Sequence, residues 1–157
     1  MSSEQNRVFA TAHHEAGHAV AAIELGFQFD HVTIVPNEDD NSLGHILYGF
    51  YSMFLNIGHR QFARDLRDYL ITNRAGPVAQ ERYTGQWDED GASSDDEHFW
   101  QILWQMYGER RERHARNLTR QARRLVYVQW PAIERVTQGL LREHTLSYSD
   151  VKKMLDG

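Results

Sequence analysis

The chain has 157 residues, enough for one domain with a real core, and the expectation is a single domain over 1–157. Its 17 Lys+Arg against 22 Asp+Glu leave a net charge of −5, which argues against nucleic acid as the main partner. With no cysteine it has neither disulfides nor thiolate metal ligands, so a metal site here would use histidine and carboxylate.

The first seven residues are polar and carry no apolar signal-peptide core. No apolar run approaches the ~18 residues of a membrane helix. A cytoplasmic location without a membrane segment is the expectation. There is no Gly-rich phosphate loop ending in Gly-Lys-Ser/Thr, and no internal repeat.

The first predicted helix covers residues 4–25 and ends at Gly26, a residue suited to a helix C-terminus. It contains His14-Glu15-Ala16-Gly17-His18, an HExxH motif. Residues four apart share one helical face, so the two imidazoles can grip one metal ion. Glu15 sits beside that face, where its carboxylate can reach a water on the metal. The flanks (Val8, Phe9, Ala12, Ala16, Ala19, Val20, Ala22, Ile23) are apolar, which predicts a buried helix. Gly17 costs a helix interior ~1 kcal/mol against alanine and suggests that something packs closely there. The competing reading of the motif is a helix carrying surface histidines.

Residues 31–35, His-Val-Thr-Ile-Val, read as a strand stopped by Pro36. Residues 37–41 are a polar turn, and 43–51 read as the returning strand of a hairpin, with Gly44 suited to a bulge. Residues 52–58 form a loop whose Met53, Phe54 and Leu55 either fold onto the core or make a docking patch. A helix over 59–73 follows, with Phe62, Leu66, Tyr69 and Leu70 at helical spacing. A short separate helix over 77–83 begins at Pro77.

Residues 85–94 are a loop, and Ser93 or Ser94 can cap a helix over 95–113. Phe99, Ile102, Leu103, Met106 and Tyr107 form its apolar stripe, and the Arg110–Arg113 run is a solvated face. A helix over 115–129 follows, and Pro131 then breaks or kinks the pattern. Ile133, Val136, Leu140 and Leu141 mark another amphipathic helix, and a last one starts near Ser147 or Ser149. The fold class is therefore mainly α, with a small β-hairpin or sheet beside the HExxH helix.

A catalytic zinc needs a third protein ligand and an open position for water. The HExxHxxGxxH spacing fails, because positions 21 and 24 are Ala21 and Glu24. Among later acids, Asp95 stands at a predicted helix start after the small-residue turn Gly91-Ala92-Ser93-Ser94, with Asp96 and Glu97 beside it. Any of these acids could equally be a charge favouring the helix dipole, worth about 0.3–1 kcal/mol. Sequence physics leaves the choice open.

The stretch Thr11-Ala12-His13-His14-Glu15-Ala16-Gly17-His18-Ala19-Val20 resembles the zinc helix of FtsH-type peptidases, the protease half of membrane-bound AAA proteases. Val32-Thr33-Ile34-Val35-Pro36 followed by Leu43-Gly44 is similar to that family's strand pair. The stretch from Ala75 to Gly85 resembles its AGRAAEE-type helix, and Gly91-Ala92-Ser93-Ser94-Asp95 its GASND-type segment. Leu140-Leu141-Arg142-Glu143-His144-Thr145-Leu146 resembles its LLE-x-ETL close. Pro77 stands where the family usually has arginine, and Gln80 replaces the first of two glutamates. The stretch from Gly108 to Asn117 is far shorter than the family's loop.

The resemblance implies a stand-alone helical metallopeptidase domain without the ATPase. It implies Asp95 as the third zinc ligand beside His14 and His18, with Glu15 as general base. The implied function is a zinc-dependent endopeptidase that cuts extended or unfolded polypeptides, paired along the strand at 31–35. His31 and His45 are candidates for stabilising the oxyanion. His13 points off the metal face, and His98, His114 and His144 lack metal spacing. The resemblance leaves room for a separate AAA ATPase partner and for homo-oligomers. The alternative function is a catalytically weak or inactive zinc-bearing peptide-binding or adaptor module working with a partner. A third reading is a helical scaffold with no metal.

Overall fold

The structure is a computed structural model that describes residues 1–36, 59–89 and 93–157, without the side chains of 59–62, 93 and 94. It is mainly helical, with one small two-stranded antiparallel sheet among the described residues. The elements in order are α1 (Ser3–Glu24), β1 (His31–Thr33), α2 (His59–Thr84) and α3 (Ser93–Tyr107). A 3₁₀ turn (Gly108–Arg110), α4 (Arg111–Val128), α5 (Trp130–Glu143), β2 (Thr145–Ser147) and α6 (Tyr148–Asp156) follow. No helix among the described residues is long and apolar enough to cross a membrane.

Helix α1 starts on a reciprocal cap. Ser2 Oγ accepts from the Gln5 N–H at 3.2 Å, and the Ser2 N–H donates to Gln5 Oε1 at 2.9 Å. It ends where Gly26 turns left-handed at φ +83°. Between these ends every residue from Ala12 to Ala22 is buried, so the helix is covered on all sides. Val8, expected among the buried flank, is 42% exposed. Helix α1 packs chiefly on α2 and α5.

The close approach that Gly17 suggested is made by α2. A Cβ at Gly17 would stand 2.6 Å from the Ala75 carbonyl oxygen and 2.7 Å from Ala79 Cβ. No larger residue fits that crossing without moving the backbone of α2.

Helix α2 corrects the expectation of two helices, at 59–73 and 77–83. It is one helix, with Pro77 inside it. Proline there removes the N–H that would bond the Asn73 carbonyl. The surrounding burial outweighs that loss, because every residue from Ile71 to Gln80 is buried.

The expected boundary near 113–115 also moves. Gly108 adopts φ +52°, and the chain leaves α3 through the 3₁₀ turn before α4 begins. Phe99 and Leu103 are fully buried and Ile102 nearly so, each stabilising the fold by about 1.5–3 kcal/mol. Met106 and Tyr107 pack half-buried against the same core. The expected break near Pro131 is present: α4 ends at Val128 and α5 begins at Trp130, with Pro131 in its first turn, where its missing N–H costs nothing.

The sheet pairs β1 with β2 in the register His31↔Ser147, Val32↔Leu146, Thr33↔Thr145. Val32 and Leu146 turn into the core. The expected returning strand at 43–51, the turn at 37–41 and the 52–58 loop lie outside the described residues. Ser147 caps α6 in a second reciprocal box with Asp150, in line with the expected helix start.

Candidate metal centre

His14 and His18 stand one turn apart on α1, and their rings turn toward the first turn of α3. His14 Nδ1 donates to Gln80 Oε1 at 2.7 Å, and His18 Nδ1 donates to the Thr72 carbonyl at 2.8 Å. Both partners lie on α2. With the Nδ1 protons committed to these oxygens, each ring presents its Nε2 lone pair to the same point.

Asp95 completes the convergence. Its Oδ2 lies 2.9 Å from His14 Nε2 and 3.3 Å from His18 Nε2, while the two Nε2 atoms are 3.1 Å apart. Atoms held ~2.0–2.1 Å from a tetrahedral ion stand ~3.3 Å from one another, so the spacing already fits a small divalent cation. All three residues are buried, at 3%, 0% and 4% exposure. Three electron pairs cannot face one another in a dry site without a proton or a cation between them. This buried His14, His18 and Asp95 group could hold a metal ion.

Gly76 shapes the same cradle. A Cβ there would overlap the His18 ring, standing 2.6 Å from Cε1. Helix α2 therefore supplies the carbonyl that orients His18 and the gap that admits its ring.

The neighbouring acids divide cleanly. Asp96 forms an ion pair with Arg74, and Glu97 is exposed. The Arg74 guanidinium also lies over the Phe99 ring, 3.8 Å from its centroid. This clasp fastens the start of α3 to α2 and so seats Asp95 against the histidines.

Glu15 is buried at 5% exposure and lines, with His14, a cleft of about 760 Å³. Arg7 from α1, Gln80 from α2, and Trp87 and Asp88 from the segment after α2 share its walls.

Burial pushes the Glu15 carboxyl up to about 8, with the His14 charge opposing and the Asp95 charge reinforcing. Burial opposes the charged form of His14, but hydrogen bonding and charge from Asp95 outweigh it and raise that imidazole to about 9. Burial would raise Asp95, yet the two histidines hold its carboxyl well below the usual range.

His13 lies off the cluster, as expected, but it is buried. Its Nδ1 donates to the Phe9 carbonyl at 2.7 Å, and its ring stacks between Tyr83 and Trp130. Burial lowers its pKa, partly offset by the Phe9 carbonyl. His31 is exposed, bonded to Asp30 at 2.7 Å, and is not among the residues that line the cleft. His45 lies outside the described residues. His98, His114 and His144 are not in the cluster.

Sequence reasoning missed Thr72, Gly76 and Asp88. The one available signal was Gly76, just before the Pro77 read as the start of a separate helix; it lies inside α2, against the His18 ring. The chain matches no family model and no curated protein.

Proposed function

We propose that this chain is a zinc-dependent endopeptidase acting on extended or unfolded polypeptides, akin to the FtsH-type peptidases its motifs resemble. The observation that carries the reading is the buried convergence of His14, His18 and Asp95 with Glu15 in the wall of an adjoining cleft. Two neutral imidazoles and one carboxylate suit zinc, and three protein ligands leave a fourth position for chemistry. When bound, zinc supplies Lewis acidity, which acidifies water and polarises a carbonyl.

The remaining work falls to this chain's own groups. Thr72 and Gln80 hold the two rings with Nε2 facing inward. A Glu15 carboxylate oxygen takes the proton of the attacking water and returns it to the departing amide nitrogen. The cleft is roomy enough for several residues of an extended chain.

The test is incubation of the zinc-loaded protein with unfolded casein, with and without a chelator. Cleavage that the chelator stops supports the reading. Zinc-dependent casein binding without cleavage would replace it with a peptide-binding module, and absence of bound zinc would remove both.

A further inference from the structure

One side chain joins the centre to the cleft wall. Gln80 takes the hydrogen bond of His14 on Oε1, and its Nε2 donates to Asp88 Oδ2 at 2.7 Å. Gln80 is buried at 8% exposure, whereas Asp88 is exposed on the segment that follows α2. Gly85, at φ +80°, turns the chain into that segment.

The polarity of the chain of bonds is set from its outer end. A carboxylate only accepts, so Asp88 decides that the Gln80 amide must point its nitrogen outward. The amide oxygen then faces His14 and holds the ring proton on Nδ1. A reversed amide would offer a donor to Nδ1, move the proton to Nε2 and withdraw a lone pair from the cation point. A glutamate at position 80 would set one carboxylate against another.

We propose that Asp88 is a positioning residue for the metal centre, acting through the Gln80 amide to hold His14 in its cation-binding tautomer. The inference rests on reading His14, His18 and Asp95 as metal ligands. It also couples the cleft wall to the centre, because Gln80 and Asp88 both line that wall. A polypeptide that pulls Asp88 away would loosen the hold on His14.

The test is a double-mutant cycle on zinc affinity, measured by competition with a chromogenic chelator. Gln80→Met, which keeps the side-chain length, should weaken zinc binding by about 10–100-fold. Asp88→Ala should weaken it by roughly 3–10-fold, within the reach of an outer partner of a ligand. The double variant should bind as Gln80→Met does, because the Asp88 effect has no route without the amide. The visible bands of cobalt-loaded Asp88→Ala should shift toward those of Gln80→Met. Losses that multiply would show that Asp88 acts by charge alone. That outcome, unchanged zinc affinity in Asp88→Ala, or unchanged cobalt bands would each overturn the proposal. Wild-type protein that binds no zinc would instead overturn the reading of the centre itself.

Discussion

Gly76 of α2 lies directly against the imidazole of His18 from α1, with no room for a methyl group between them. Alanine is ordinarily the better residue inside a helix, by about 1 kcal/mol. Here its Cβ would overlap the ring, and overpacking of this kind costs about 1–3 kcal/mol. Gly76→Ala should therefore not stabilise the helix. We expect a lower melting temperature and a cation affinity reduced by more than about a hundredfold, since a ligand itself is displaced. Metal content after dialysis and a thermal melt of the metal-free protein check both parts. A variant that keeps its metal and melts higher would contradict the packing described.

The proposed function gives Glu15 and Asp95 separable duties. Glu15→Gln keeps shape and removes the proton acceptor, so casein cleavage should drop by about 10²–10⁴-fold while bound metal stays near one ion per chain. Asp95→Asn keeps shape and removes the ligand charge, so it should lose the metal first and activity as a consequence. Elemental analysis beside the activity assay separates the two. Full activity in Glu15→Gln would refute its role as the base. Undiminished metal affinity in Asp95→Asn would move the third ligand elsewhere.

Proton and cation compete for the same buried point, and the signs can be worked out for the metal-free protein. Glu15 rises from 4.5 to about 8 on folding, so its contribution is complete below pH 4.5 and lost as pH climbs through about 8. His14 rises from 6.5 to about 9, so its contribution is complete below 6.5 and lost as pH climbs through about 9. Asp95 is held low, so its contribution is present above 3.8 and fades only under strong acid. Metal-free protein should thus be more stable at about pH 5.5 than at about pH 8.5. Added zinc should reverse the slope, because the ion binds the deprotonated ligands. Urea unfolding at both pH values, with chelator and with zinc, reads this directly. A metal-free protein that gains stability toward alkaline pH would count against it.

The parts of the fold legible in the sequence were those with local causes. The buried first helix followed from its apolar flanks and HExxH spacing. The start of α6 followed from Ser147, whose partner Asp150 stands three residues on. Asp95 was singled out by a helix-start turn and selected by resemblance; its burial against both histidines is a tertiary fact. The single α2 was misread because Gly76 and Pro77 are helix breakers by propensity, while their packing against α1 is invisible locally. Strand β2 was missed because three residues between a helix end and a helix cap show no alternation to count. Its partner β1 lies more than a hundred residues upstream. Gln80 and Asp88 carry no spacing rule that links them to His14; only the folded α2 and its following turn bring them together.

The crossing at Gly17 has one setting. Sliding α1 along α2 by a turn would bring His13 or Ala21 to the place where only a hydrogen fits over Ala75 and Ala79. Ratcheting of these two rods is thereby blocked in both directions.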